Sequence, residues 1–139
     1  MSAHHENIRD LLHHVGLKST PLREKLVEVL KKSKKPLSAE EITKKIRGVS
    51  FDQASLFRSL KKLTEAGLIS QVNLGEGFAR YEAACEAHDH HHHVRCTSCQ
   101  AITVLPFCIP PRFEAWLKKA GYTAIQHRLD FLALCPRCS

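Results

Sequence analysis

Two Cys-x-x-Cys doublets, Cys96-Thr97-Ser98-Cys99 and Cys135-Pro136-Arg137-Cys138, are separated by 35 residues in this chain. Two thiolates three positions apart can grip one tetrahedral ion, and a second doublet completes a closed four-sulfur zinc site of the structural kind. Any fold obeying this constraint must bring both ends of that segment together. The constraint is needed because the segment Cys85 to Ser139 can bury only a modest core, so it requires a metal, a partner subunit or both. The chain has neither an N-terminal apolar signal segment nor a run long enough to span a bilayer, so the expected compartment is the cytoplasm. Thiols stay reduced there, and the repeated Cys-x-x-Cys then reads as metal binding before it reads as disulfide, despite the even count of six cysteines.

The remaining 84 or so residues carry helical signals. Ile8, Leu11, Leu12 and Val15 lie at helical spacing with Gly16 as a stop, and Thr20-Pro21 opens a second helix striped by Leu22, Leu26, Val29 and Leu30. Ser38 and Glu41 form a capping box ahead of Ala39, Ile42 and Ile46, and Ser50 to Gln53 repeats that signature before a helix running to about Ala66. Two extended runs follow, Leu68 to Val72 and Phe78 to Ala83, separated by a turn with two glycines. Helices followed by a hairpin predict a winged helix-turn-helix over residues 1–83. On its fourth helix Ser55, Phe57, Arg58, Ser59 and Lys62 form a polar and cationic ridge suited to a DNA major groove. The net charge of +7 agrees with a polyanion partner, and most of the excess lies in this half: 15 basic against 10 acidic residues up to Ala84, 6 against 4 beyond it.

Residues 84–139 predict a small α/β unit, so the whole chain is α+β. Its expected elements are short strands at Val94-Arg95 and Ala101 to Leu105, a helix from Pro111 to Ala120, and a long strand from Tyr122 to Leu134 whose apolar face suits a homodimer. If the run into Val94 is extended, alternation separates His91 and His93 from His90 and His92. Cys85 with His91 and His93 would then supply one sulfur and two imidazoles, a set that suits zinc better than iron(II). His90, His92 and His127 are the candidates for a second site. His4, His5, His13, His14 and His88 read as solvated, and Cys108 reads as a buried apolar residue.

The motifs Thr20-Pro21-Leu22-Arg23, Ser55-Leu56-Phe57-Arg58, Glu65-Ala66-Gly67-Leu68, His90 to His93 and the two cysteine doublets together resemble the ferric uptake regulator family across nearly the whole chain. The resemblance implies a dimeric, metal-responsive transcription factor that binds double-stranded operator DNA, expected here as an A·T-rich palindrome. It implies structural zinc at Cys96, Cys99, Cys135 and Cys138, regulatory ligands at His91 and His93, and a DNA role for Arg23. Several departures bear on the metal. The family's usual Thr-Val-Tyr-Arg is altered at Ser55 and Phe57. The histidine that iron-responsive members carry before the third helix is absent from Lys34 to Leu37, and their acid after the first doublet is absent from Ile102 to Leu105. Cys85, six positions before His91, resembles the zinc uptake regulators, with Glu82, Asp89 or Gln71 as the remaining ligand. The expectation is a zinc-sensing repressor whose regulatory site is Cys85, His91, His93 and Glu82, with an iron-responsive member as the alternative. A zinc-thiol redox switch or zinc buffer is the alternative of another class. A nucleobase deaminase would need His-x-Glu ahead of Pro-Cys-x-x-Cys, which this sequence lacks, so no enzyme is expected.

Overall fold

Helix caps and apolar stripes organise the first part of the computed structural model, which describes residues 7–84 and 91–139. Chain contacts divide the molecule into two units, Met1–Glu86 and Ala87–Ser139. In the first, α1 (Ile8–His14), α2 (Pro21–Lys32), β1 (Leu37–Ser38), α3 (Ala39–Lys45) and α4 (Gln53–Glu65) precede β2 (Ile69–Val72) and β3 (Arg80–Ala83). Thr20 Oγ1 accepts from the Arg23 amide at 3.3 Å. The Ser38 box closes in both directions, with Glu41 N donating to Ser38 Oγ at 3.2 Å and Ser38 N to Glu41 Oε2 at 3.1 Å. The cap of α4 is not Ser50: Asp52 accepts from the Ser55 amide at 2.7 Å and the helix begins at Gln53. A carboxylate in that position satisfies the same orphan amides and also faces the positive end of the helix.

Leu12, Leu26, Leu30, Ile42, Leu60 and Leu63 are fully buried between these helices and the three-stranded antiparallel sheet β1-β3-β2. The hairpin pairs Gln71 with Tyr81 and Val72 with Arg80, and its turn uses Gly75 and Gly77 at positive φ. Arg80 fastens the hairpin to the helices. Its guanidinium donates to both oxygens of Glu76, at 2.7 and 2.9 Å, to Glu41 Oε2 at 2.9 Å and to the Pro36 carbonyl at 3.3 Å. The Glu76 bonds chiefly hold its pKa above the usual arginine value. One buried cation therefore ties the wing turn to the capping box of α3.

The second unit is built on β4 (His92–Cys96), flanked by antiparallel β5 (Ile102–Leu105) and parallel β6 (Asp130–Ala133), with α5 (Pro111–Lys119) between the last two. The expected strand from Tyr122 to Leu134 is corrected to β6 alone. Half-burial still alternates at Ile125, His127 and Leu129. However, β4 reaches back only to His92 and pairs with β6 from Asp130 onward, so residues 122–129 have no ladder within the described chain. No residue of α5 is buried, and Phe113, Trp116, Tyr122, Phe131, Leu132 and Leu134 are all exposed. No helix is long and apolar enough to cross a membrane among the described residues.

Candidate functional site

The four sulfurs of Cys96, Cys99, Cys135 and Cys138 lie within 4.8 Å of one another. Strand β4 delivers Cys96, the turn after it delivers Cys99, and the chain leaving β6 delivers Cys135 and Cys138, so the parallel pairing of β4 with β6 is what joins the doublets. Thr97 N donates to the Ala133 carbonyl at 2.9 Å and closes the sheet directly beside them. The amides of Cys99 and Cys135 both donate to Cys96 Sγ, at 3.5 and 3.4 Å. These bonds, that of Cys99 foremost, bring the Cys96 thiol down to about 6. Its hydrogen bond to Cys135 pushes the Cys138 thiol up to about 12. Four like charges cannot gather unaided at this separation, and an ion that expels the remaining protons removes the conflict. The donor set and spacing fit a tetrahedral zinc ion.

At the opposite end of β4, at His92, a second cluster forms. His92 Nε2 lies 3.1 Å from His127 Nε2 and 3.2 Å from Cys108 Sγ, and Cys108 Sγ lies 3.2 Å from His127 Nε2. His127 Nδ1 lies 3.3 Å from Glu114 Oε1 on α5. A cleft of about 250 Å³ lined by His91, His92, Leu105, Pro106 and Cys108 opens beside it. His92 and His127, expected as partners, do meet. Cys108 corrects the expectation of a buried apolar residue, because it is exposed and faces both imidazoles. The available signal was its position among Pro106, Pro110 and Pro111, which stiffen the connection that presents it. His90, the third expected ligand, lies outside the described residues.

The expected regulatory set is only partly described. Cys85, His88 and Asp89 lie outside the described residues, as do His4 and His5. His91 is half-buried and His93 fully so, with His93 Nδ1 at 3.4 Å from Asp130 Oδ1. Asp130 is a neighbour that spacing did not single out. Glu82 is buried in β3 opposite Ser70 of the first unit, and Gln71 is exposed on β2. The ladder partner of His93 on β5 is Val104, so that neighbour brings no carboxylate. His13 and His14 are exposed on α1.

On α4 the outward row is Ala54, Phe57, Arg58, Lys61 and Lys62, with Ser55 half-buried beside it. Ser59 is corrected: it is buried next to Leu60 and Leu63, because three residues on from Leu56 it falls on the core side of the helix. Lys61 takes its place in the exposed row. Arg58 Nη2 donates to Ser55 Oγ at 3.2 Å. Arg23, on the first turn of α2, donates from Nη1 to the Lys18 carbonyl at 2.7 Å. Exposed cations and an aromatic ring with few acids among them form a surface that can accept phosphate and base edges.

A family model for the Ferric uptake regulator family matches residues 14–132. The chain is 32% identical over 139 residues to the ferric uptake regulation protein of Bacillus subtilis (strain 168), covering 96% of this chain and 93% of that one. The solved ferric uptake regulator of Helicobacter pylori, described as having three functional metal binding sites, is similar at a TM-score of 0.74 and 32% identity. The match covers 96% of this chain and 89% of that one. That of Vibrio cholerae is similar at a TM-score of 0.75 and 27% identity, over 91% and 98% of the two chains.

Proposed function

The chain belongs to the ferric uptake regulator family of metal-responsive transcriptional regulators, and on that premise we propose that it is a zinc-sensing repressor. Zinc at Cys96, Cys99, Cys135 and Cys138 holds the second unit together. Two copies associate through its exposed apolar surface, in the cytoplasm, and present two α4 helices to an A·T-rich palindrome. Phe57, Arg58 and Lys62 face base edges and phosphates, with Ser55 alongside and Arg23 on the backbone. The sensed ion sits at Cys85, His91 and His93 with Glu82 as the carboxylate. When bound, it acts as a tie between elements. Asp130 accepts from His93 Nδ1–H and so selects the tautomer whose Nε2 coordinates.

The observation that carries zinc over iron is the pairing of His93 with Val104, which puts an apolar side chain where a hard-metal site needs oxygen. Differential affinity for the DNA-competent dimer is the switch, so zinc tightens operator binding and operator tightens zinc binding by the same factor. Fluorescence anisotropy on a palindromic duplex, with the four-sulfur zinc intact, tests this. Added zinc should tighten binding by roughly tenfold or more, within the usual range of such couplings. Equal affinity with and without zinc removes the switch. The iron-responsive reading is favoured by the similarity to proteins named ferric uptake regulators. It predicts that iron(II) replaces zinc in this assay and that Cys85→Ser leaves the response unchanged.

A further inference from the structure

We propose that the winged unit carries an anion site apart from α4: a basic cleft between α2 and α3 that takes a small phosphate-bearing anion. This site is independent of the metal sensed and of how operator DNA is read. Positive charge in the unit is densest away from the α4 row. Residues 25–47 hold eight lysines and arginines against three glutamates, whereas α4 holds three against one. Four of those eight gather around one concavity. Lys25, Glu28 and Lys32 stand about a helical turn apart on α2, Lys45 ends α3, and Arg47 follows the α3 cap at Ile46. Together they line a cleft of about 360 Å³ with Val29 among them. That size falls within the roughly 300 to 1,000 Å³ usual for small-molecule sites. No residue of α4 lines it; α4 and α3 border a different groove, through Leu56, Phe57, Thr43 and Lys44.

The charges inside the cleft do not balance. Glu28 accepts from Lys32 at 2.9 Å and from Lys25 at 3.1 Å, and these bonds, that of Lys32 foremost, hold its carboxyl below the usual range. One carboxylate thus serves two ammoniums. Lys44 is paired with Glu40 at 3.1 Å, but Lys45 and Arg47 have no carboxylate at ion-pair distance among the described residues. Favourable placement at helix C-termini accounts for Lys32 and Lys45, in the last turns of α2 and α3. It does not account for Lys25, in the first half of α2, or for the gathering of all four. A concavity walled by one sign of charge focuses potential inside it. Lysine and arginine are the side chains that hold phosphate, and a guanidinium can meet two of its oxygens at once. Duplex DNA fits less well, being a convex cylinder with charge strung along its axis, which ridges such as α4 meet better.

The test uses the isotope-labelled full chain with its four-sulfur zinc retained and quantified. Inorganic phosphate is the probe, with chloride holding ionic strength constant. Amide resonances of Lys32, Ser33, Lys45 and Arg47 should shift and saturate while those of α4 stay in place. Lys45→Gln and Arg47→Gln should each weaken binding by roughly threefold, the scale of a partly exposed charge pair. Glu28→Gln should tighten it, because two ammoniums are freed and a competing carboxylate is gone. Lys31→Gln removes the same charge from α2 outside the cleft and should change nothing. Helical circular dichroism should show every variant folded. No saturable shift at the cleft overturns the proposal. So does equal weakening by Lys31→Gln, which would mark a diffuse basic surface and an adventitious ion only. Weaker binding of a random-sequence duplex by Lys45→Gln and Arg47→Gln, with no phosphate shift, would assign these cations to DNA and overturn it as well.

Discussion

The first unit buries Leu12, Leu26, Leu30, Ile42, Leu60 and Leu63 completely, whereas the second leaves Phe113, Trp116, Tyr122, Leu132 and Leu134 in solvent and buries mainly histidine and cysteine. Both contain sheet and helix, yet they are stabilised by different physics. The winged unit encloses its apolar stripes within one chain and fastens the wing with an internal ion pair. The metal-binding unit folds a segment too short to enclose a core, and coordination with association supplies what burial does not. The candidate DNA-reading face of α4 therefore rests on a unit that encloses its own core, and the four-sulfur group lies in the unit that does not.

The largest effect that could break this contrast is removal of the four-sulfur ion. Cys135→Ala, or a strong chelator, should cost the second unit on the order of 10 kcal/mol and unfold it. The single Trp116 lies in that unit, so its emission should shift to that of unfolded chain. Amide exchange across α2 and α4 should stay slow. Loss of protection in both units together would show that they are not independent. The thiol values sharpen the same point. Cys96 has its folded value lowered to about 6, so near neutral pH it is already thiolate, while Cys138 at about 12 keeps its proton. The ion should therefore be lost from the folded unit as pH falls, followed with a colorimetric zinc indicator, because each bound sulfur must stay deprotonated. Below about 6 Cys96 takes a proton as well, so retention of the ion falls furthest there.

A smaller effect, confined to the winged unit, is expected for Arg80→Ala. It removes the cation that Glu76 and Glu41 share and should cost about 3 to 5 kcal/mol. Denaturant melts followed by helical circular dichroism should move while Trp116 emission does not. Ser38→Ala removes one half of a capping box and should cost about 1 kcal/mol in the same transition. An effect on the Trp116 signal from either substitution would contradict the separation.

Much of the winged unit was legible because its signals are local. A proline at the first helical position after Thr20, the Ser38 box and a two-glycine turn each act within a few residues, and each formed where expected. The errors were of placement. Asp52 caps α4 two residues beyond Ser50, and Ser59 turned inward because a spacing of three or four fits both faces of a helix until the core is known. In the second unit the doublets announced their chemistry, but nothing near Cys108 reveals His92 and His127, which are 16 and 19 residues away. Nor could alternation alone show that Tyr122 to Leu129 would lie outside the ladder that β6 forms with β4.

By itself, then, the chain's order of residues specified the ligand types, the helix starts and the wing, since caps, turns and Cys-x-x-Cys grips are set by near neighbours. Only the tertiary structure decided which candidate donors come together. The parallel register of β4 on β6 brings Cys96 to Cys135, and the stiff path through Pro106 to Pro111 carries Cys108 to the histidines. Coordination depends on distances of a few ångströms between residues remote in sequence, and packing alone sets those distances.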